Sequence, residues 1–294
     1  MEIRVLRYFL AVAREKNFTA ASKLLHVTQP TLSKQLMGLE ESLGKQLLIR
    51  GSRQVTLTEE GQLLKKRAEE IIDLADRTEL EIKQSSQEIG GSIFLGGGES
   101  TTMTLLVRAI HRLKKQHPHI QYHLYSATAP EVMERIDRGL LDFGLVIGAV
   151  STQDYDFRHL PAADRWGLLV RKDSVLAQLD YITAQHLTQI PLICSRQALG
   201  DNELSGWLGQ ELESLDIVAT YNLLYNATIM VEEGIGHALC IDGLANTSEE
   251  SPLTFIPLEP KMESPLTLIW KRHTQLTPAS KKFLQALQEE IDNY

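Results

Sequence analysis

Between Gln29 and Lys34 the chain places one amide, two hydroxyls and one cation, and no carboxylate follows until Glu40. That is chemistry suited to double-stranded DNA. The Gln29 amide can pair with an adenine edge, Thr31 and Ser33 can reach bases or phosphates, and Lys34 can neutralise a phosphate. To enter a major groove these groups must stand on the outer face of a helix. Leu32, Leu36 and Leu39 recur at i, i+4, i+7 and give such a helix its core-facing stripe. Thr28 is its candidate N-cap, and Pro30 falls in the first turn, where a missing N–H costs nothing. A shorter helix precedes it, with Thr19 as candidate N-cap and an apolar face of Ala20, Ala21, Leu24 and Leu25. Val27 turns inward between the two. An ordinary surface hairpin shares this pattern, so the flanking elements decide.

Ile3, Leu6, Phe9, Leu10, Val12 and Ala13 form an amphipathic helix able to cover the pair. After Gly44 come a short strand over 47–49, a basic turn carrying Arg50 and Arg53, and a returning strand over 55–57. Two strands around a basic turn make a wing that can lie along a phosphate backbone. Three helices and a wing predict a winged helix-turn-helix. From Thr58 to about Glu88 the chain reads as one long helix. Leu64, Ala68, Ile71, Ala75, Thr78 and Ile82 step by four and three along it, a narrow seam that needs a partner helix from this chain or a second one.

Beyond Gly90-Gly91-Ser92, strands over 93–97, 121–126 and 142–148 alternate with helices over 101–116 and 131–138. A second run has strands over 167–170, 191–194 and 216–221, a helix over 223–233, strands over 237–241 and 266–271, and a last helix over 278–291. Such alternation predicts a mostly parallel, doubly wound α/β sheet. Ligands of such sheets sit beyond the carboxyl ends of strands, near helix N-termini. Those ends are Glu99, Ser100 and Thr101, then Thr128, then Ile147 and Gly148, and in the second run Ser195, Arg196 and Asn222. Helix capping is the competing role for each.

Catalytic signatures are missing from the sequence. Gly96-Gly97-Gly98 follows a strand, but no Gly-Lys-Ser/Thr comes after it. His117, His119 and His123 span a helix end and a strand, which disfavours one metal site. No GxSxG or HExxH occurs. Neither a metal nor a cofactor is expected. Cys194 and Cys240 are two thiols far apart, read as buried side chains rather than a disulfide framework. No apolar run reaches membrane-spanning length, and the N-terminus lacks a signal-peptide core, so a cytoplasmic protein is expected. The net charge of −8 over 294 residues is uneven. Residues 1–67 hold 12 Lys/Arg against 6 Asp/Glu, and residues 68–294 hold 18 against 32. The N-terminal part can therefore show a basic face to DNA.

The stretch FLAVAREKNFTAASKLLHVTQPTLSKQLMGLEESLGKQLLIRGSRQVTLTEEG resembles the N-terminal domain of LysR-type transcriptional regulators, without a gap from about Leu6 to Gly61. The layout GSIFLGGGEST…LLVRAIHRLKKQHPHIQYHL…LLDFGLVIG resembles, more loosely, the two-lobed effector domain of that family, a fold like periplasmic solute-binding proteins. The resemblance implies a winged helix-turn-helix over 1–58, a dimerisation helix over 59–89 and an effector domain of two αβ lobes over 90–294. It places Gln29, Pro30, Thr31, Ser33 and Lys34 at the DNA groove and Arg50 and Arg53 in the wing. It implies promoter DNA, a small-molecule effector and RNA polymerase as partners, and a homodimer that pairs into a tetramer. An enzyme or solute-binding domain fused to a DNA-targeting module is the runner-up reading, and an architectural DNA-binding protein with a degenerate effector domain is a third. Three departures stand out: Lys34 where the family usually has Arg, Leu48 where it has Phe, and Glu99 where it has a small neutral residue, often Pro. Glu99 either stabilises the dipole of the helix beginning near Ser100, or repels an anionic effector and pairs with an amine or a polyhydroxy compound.

Overall fold

The computed structural model describes the chain except residues 52–53, 84–88, 149–152, 201 and 210–211, and except the side chains at 77, 80, 81, 83, 202 and 203. It divides into two compact units, Met1–Gln84 and Ser85–Tyr294.

The first unit holds α1 (Ile3–Glu15), α2 (Phe18–Leu24), α3 (Gln29–Leu43), β1 (Leu48–Arg50), β2 (Val55–Leu57) and α4 (Glu59–Lys83). Phe9, Val12, Ala21, Leu32, Leu36 and Leu39 close its core, with Leu47, Leu48 and Val55 from the wing. On α1 the inward set includes Val5 and Ala11, while Ile3 is exposed. The cap of α2 is Asn17 rather than Thr19. Its Oδ1 accepts from the N–H groups of Thr19 at 2.8 Å and Ala20 at 3.0 Å, which a side chain can do only from one residue ahead of the helix. Ala21 and Ser22 are buried, whereas Ala20 and Leu24 face solvent. The wing starts one residue later than expected, with Leu48 opposite Leu57 and Arg50 opposite Val55. Glu40 holds it to α3, its Oε1 accepting from Leu47 N at 2.8 Å and Leu48 N at 3.0 Å. Thr58 caps α4 by accepting from Gly61 N at 2.9 Å. Only glycine fits at Gly61, because a Cβ there would stand 2.1 Å from the Leu47 carbonyl oxygen.

The second unit runs β3 (Gly91–Gly97), α5 (Met103–Gln116), β4 (Ile120–Ser126), α6 (Ala129–Asp137), β5 (Phe143–Ile147), β6 (Tyr155–Arg171), α7 (Ala184–Leu187), β7 (Pro191–Ser195), α8 (Arg196–Gly200), α9 (Asn202–Leu208), β8 (Asp216–Tyr221), α10 (Leu224–Glu232), β9 (His237–Ile241), β10 (Leu253–Pro257), β11 (Glu263–Lys271) and α11 (Pro278–Asp292). The strand order is β4-β3-β5-β11-β6-β9-β7-β8, with β10 also on β6. The sheet is mixed rather than mostly parallel. Two parallel trios, β4-β3-β5 and β8-β7-β9, are joined by antiparallel β11 and β6. The first half of β6 pairs with β11, and its second half with β9 and β10. Each trio therefore builds its own lobe, and β6 runs through both. One lobe packs around Ile93, Leu106, Phe143, Leu268 and Phe283, and the other around Leu168, Leu192, Cys194, Leu204 and Leu239. Gly96 and Gly97 serve packing, since a Cβ at Gly96 would meet Leu141 Cδ1 at 2.5 Å and one at Gly97 would meet Leu145 Cβ at 3.1 Å.

Candidate DNA-reading face and ligand cleft

The first turn of α3 is built by its cap. Thr28 Oγ1 lies 3.4 Å from Thr31 N and 2.8 Å from Thr31 Oγ1, so the Thr31 hydroxyl already has a partner. Leu32, Leu36 and Leu39 hold the opposite face in the core. Gln29, Pro30, Thr31 and Lys34 are exposed as a result. The side chains of Gln29 and Lys34 make no hydrogen bond among the described residues. Ser33 is half-buried and accepts from Arg50 Nη1 at 3.0 Å, and the Arg50 guanidinium also lies 4.9 Å from the Phe18 ring centroid. The wing arginine is thus held by α2 and α3 rather than projecting alone. Arg53 lies outside the described residues.

The seam on α4 is shared. Ala68 is fully buried with Leu6 and Ile72, and Leu64 and Ile71 are half-buried in the same packing against α1. Arg7 pairs with Asp76 across that packing. Ala75 is half-buried, while Ile82 is 78% exposed and Leu63 and Leu74 also face solvent. Ala68 therefore serves its own chain's packing. The exposed apolar stripe that α4 leaves carries Leu63, Leu74 and Ile82.

In the second unit a cleft opens between the lobes, with about 670 Å³ of empty space including its mouth. Of the residues read from strand ends, Glu99, Thr128, Ile147, Gly148, Ser195 and Asn222 line it. Ser100 and Thr101 do not. Ser100 is buried, donating to Asp164 Oδ1 at 2.9 Å and accepting from Thr102 N at 3.0 Å, and Thr101 faces solvent. The helix expected to start with them begins later, at Met103. Arg196 is exposed and donates to Thr220 Oγ1 at 3.3 Å.

Glu99 caps a different helix from the one expected. Its Oε2 accepts from Leu224 N at 2.6 Å, so the carboxylate crosses from one lobe to the N-terminus of α10 in the other. The residue preceding that helix is Leu223, whose side chain offers no acceptor. Gln197 makes the reverse crossing, accepting from Ala129 N at 3.2 Å and donating to the Ile147 carbonyl at 3.3 Å. Glu131 accepts from both the N–H and the hydroxyl of Thr128, at 3.0 and 2.8 Å, and these bonds hold its pKa below the usual carboxylate value. Trp166, Leu204, Tyr221, Leu244, Met262 and Ser264 complete the walls. Trp166 donates to Ser264 at 2.9 Å and Tyr221 to the Leu239 carbonyl at 2.8 Å. Sequence reasoning missed Gln197 and these wall residues. Strand ends point to the first residue of a loop, whereas Trp166 comes from mid-strand β6, Gln197 and Leu204 from short helices, Leu244 and Met262 from loops, Ser264 from the start of β11, and Tyr221 from the last position inside β8. No three His, Cys, Asp or Glu residues among those described gather as metal ligands.

With this geometry in place, two family profiles match the chain. "Bacterial regulatory helix-turn-helix protein, lysR family" covers residues 3–62, and "LysR substrate binding domain" covers residues 86–292. The chain belongs to the LysR family. The Hca operon transcriptional activator HcaR of Escherichia coli (strain K12) is 29% identical to this LysR-family protein over 295 residues, 99% of this chain and 98% of that one. BenM of Acinetobacter baylyi (strain ATCC 33305 / BD413 / ADP1) is 38% identical over 144 residues, 49% of this chain and 47% of that one. Full-length CbnR, solved as a complex with its target DNA, shares the fold with a TM-score of 0.76 at 20% identity, covering 99% of this chain and 100% of that one. This LysR-family protein is a DNA-binding transcriptional regulator with a helix-turn-helix unit and an effector-binding unit. No described helix is long and apolar enough to cross a membrane.

Proposed function

We propose that this regulator reads promoter DNA through the first turns of α3, and that a small molecule held in the cleft changes the DNA-bound oligomer. In this reading residues 1–58 bind DNA, 59–89 link and dimerise, and 90–294 sense the effector. Gln29 reads a base edge, Thr31 and Lys34 engage bases or backbone, and Ser33 sets the wing arginine Arg50 for phosphate. The observation that carries the reading is the division of α3. Its leucines fill the core while Gln29 and Lys34 stand exposed, and the side chains of both make no hydrogen bond among the described residues. The exposed stripe on α4 supports a homodimer, and pairing of two dimers and action on RNA polymerase complete the proposal. Catalysis is no part of it, since the family consists of transcriptional regulators. The cytoplasmic location expected from the sequence goes with the DNA target.

The test is a footprint of the full chain on DNA upstream of its own gene and a divergent neighbour, with and without candidate metabolites. Two protected half-sites whose pattern shifts with one metabolite are expected. Absence of any protection, or turnover of a metabolite by the purified protein, overturns the reading.

A further inference from the structure

The geometry points to an effector that is a small amphiphile with a protonated amine, its ammonium held by Glu99 and its apolar body against Trp166. This rests on the cleft being the effector site.

Glu99 is the one charged side chain among the described residues lining the cleft. One of its oxygens, Oε2, takes the Leu224 N–H, and Oε1 has no hydrogen-bond partner among the described residues. No Lys, Arg or His is among the described lining residues, and residues 149–152 and 201 contain none in sequence. Oε1 is not among the buried unpartnered atoms, so it stands open to the cleft, where an approaching ammonium can take it in a charge-assisted bond.

Two of the seats that would welcome an anion are taken. The leading N–H of α10 is held by Glu99, and that of α6 by Gln197. A carboxylate ligand at either of these two helix starts would have to displace one of these oxygens, and anywhere in the cleft it would share the space with the fixed charge of Glu99. An amine needs no displacement. Ser195, whose hydroxyl has no hydrogen-bond partner among the described residues, and Asn222 line the same cleft and add neutral acceptors. Trp166 and Tyr221 add aromatic surface of the kind that attracts cations. Ile147, Leu204 and Met262 give the remainder of the ligand an apolar bed.

Calorimetry on the full-length protein with 2-phenylethylamine, 2-phenylethanol and phenylacetate separates charge from shape. The amine is expected to bind at least about tenfold tighter than either of the others, the scale of one hydrogen bond to a charged group. Glu99→Gln keeps an oxygen for Leu224 N–H, so the fold should survive, and it should cost the amine about tenfold while leaving the alcohol unchanged. In the wild type, raising salt should weaken the amine and not the alcohol. Phenylacetate binding as tightly as the amine overturns the inference, as does an amine affinity indifferent to Glu99→Gln or to salt. An alcohol that matches the amine also overturns it, yet leaves the cleft a binding site. Binding by none of the three overturns it as well. The wider reading fails separately, when no metabolite of any charge alters the footprint.

Discussion

Asp164 is 2% exposed on β6 and is the anchor of the loop that presents Glu99. Its Oδ1 accepts from Ser100 at 2.9 Å and Thr102 at 3.4 Å, and its Oδ2 has no partner among the described residues. Burial pushes its pKa up, against the two hydroxyl bonds that pull it down. A carboxylate whose folded pKa lies above its unfolded one favours folding below the unfolded value, and this contribution is lost as pH rises through the folded value. Asp164→Asn keeps an acceptor for both hydroxyls and removes the buried charge. At pH 8 the variant should be the more stable of the two, because burial penalises a charge that it lacks, and its advantage should shrink as pH falls. Thermal melts of both proteins from pH 3 to pH 8 check this, and a gap that does not change with pH would refute it. The same pair explains why Ser100 misleads as a sequence signal. A serine after a strand looks like a ligand hydroxyl, and the carboxylate that consumes it lies 64 residues away. Glu99 is legible in sequence as the unusual charge at the cleft, but the helix it caps is not, because that helix belongs to the other lobe.

On α4, sequence spacing marks a seam and does not say what fills it. Steps of four and three look alike whether the partner is α1 of the same chain or a second chain. The fold divides the stripe, with Ala68 fully buried beside Leu6 and Ile82 left exposed. Substitutions should divide the same way. Ala68→Asp buries an unpaired carboxylate and should cost the first unit roughly 3 kcal/mol. Ile82→Asp should change folding stability by less than about 0.5 kcal/mol and still dissociate a dimer that uses this stripe. Sedimentation and denaturant melts of the full chain separate the two, and an Ile82→Asp protein that keeps its wild-type mass would show that the dimer lies elsewhere. Helix and strand periodicities mark most elements of the second unit, yet the first half of β6 escapes them. It carries Pro161 with Arg158, His159, Asp164 and Arg165, a composition typical of loops. It is a strand because β11 pairs with it, and Pro161 falls beside the irregular stretch between Pro265 and Thr267. Where one ladder is broken and the other side is unpaired, proline is tolerated. Without β10 and the first half of β6 in view, the alternating pattern reads as a mostly parallel sheet.

Across the whole chain, charge is distributed so that attraction to DNA belongs to the N-terminal part. Residues 1–67 carry six more cations than anions, and residues 68–294 carry fourteen more anions than cations. Binding to a polyanion by the first part releases counter-ions, so log K should fall linearly with log salt, by about 0.9 for each phosphate neutralised. Lys34 and Arg50 are the described cations on the reading helix and the wing. Lys34→Gln or Arg50→Gln should each weaken binding to all sequences alike and flatten the slope by about 0.9 for each phosphate left without its cation. Gln29→Ala carries no charge change. It should leave the slope intact and cost about 1–3 kcal/mol at one position of each half-site. Titrations of cognate and scrambled DNA at several salt concentrations check all three together. The contrast between the variants is the informative part, because a merely misfolded unit would lose slope and sequence preference at once. Wild-type binding that ignores salt, or a Gln29→Ala protein that flattens the slope as Lys34→Gln does, would remove α3 from the groove.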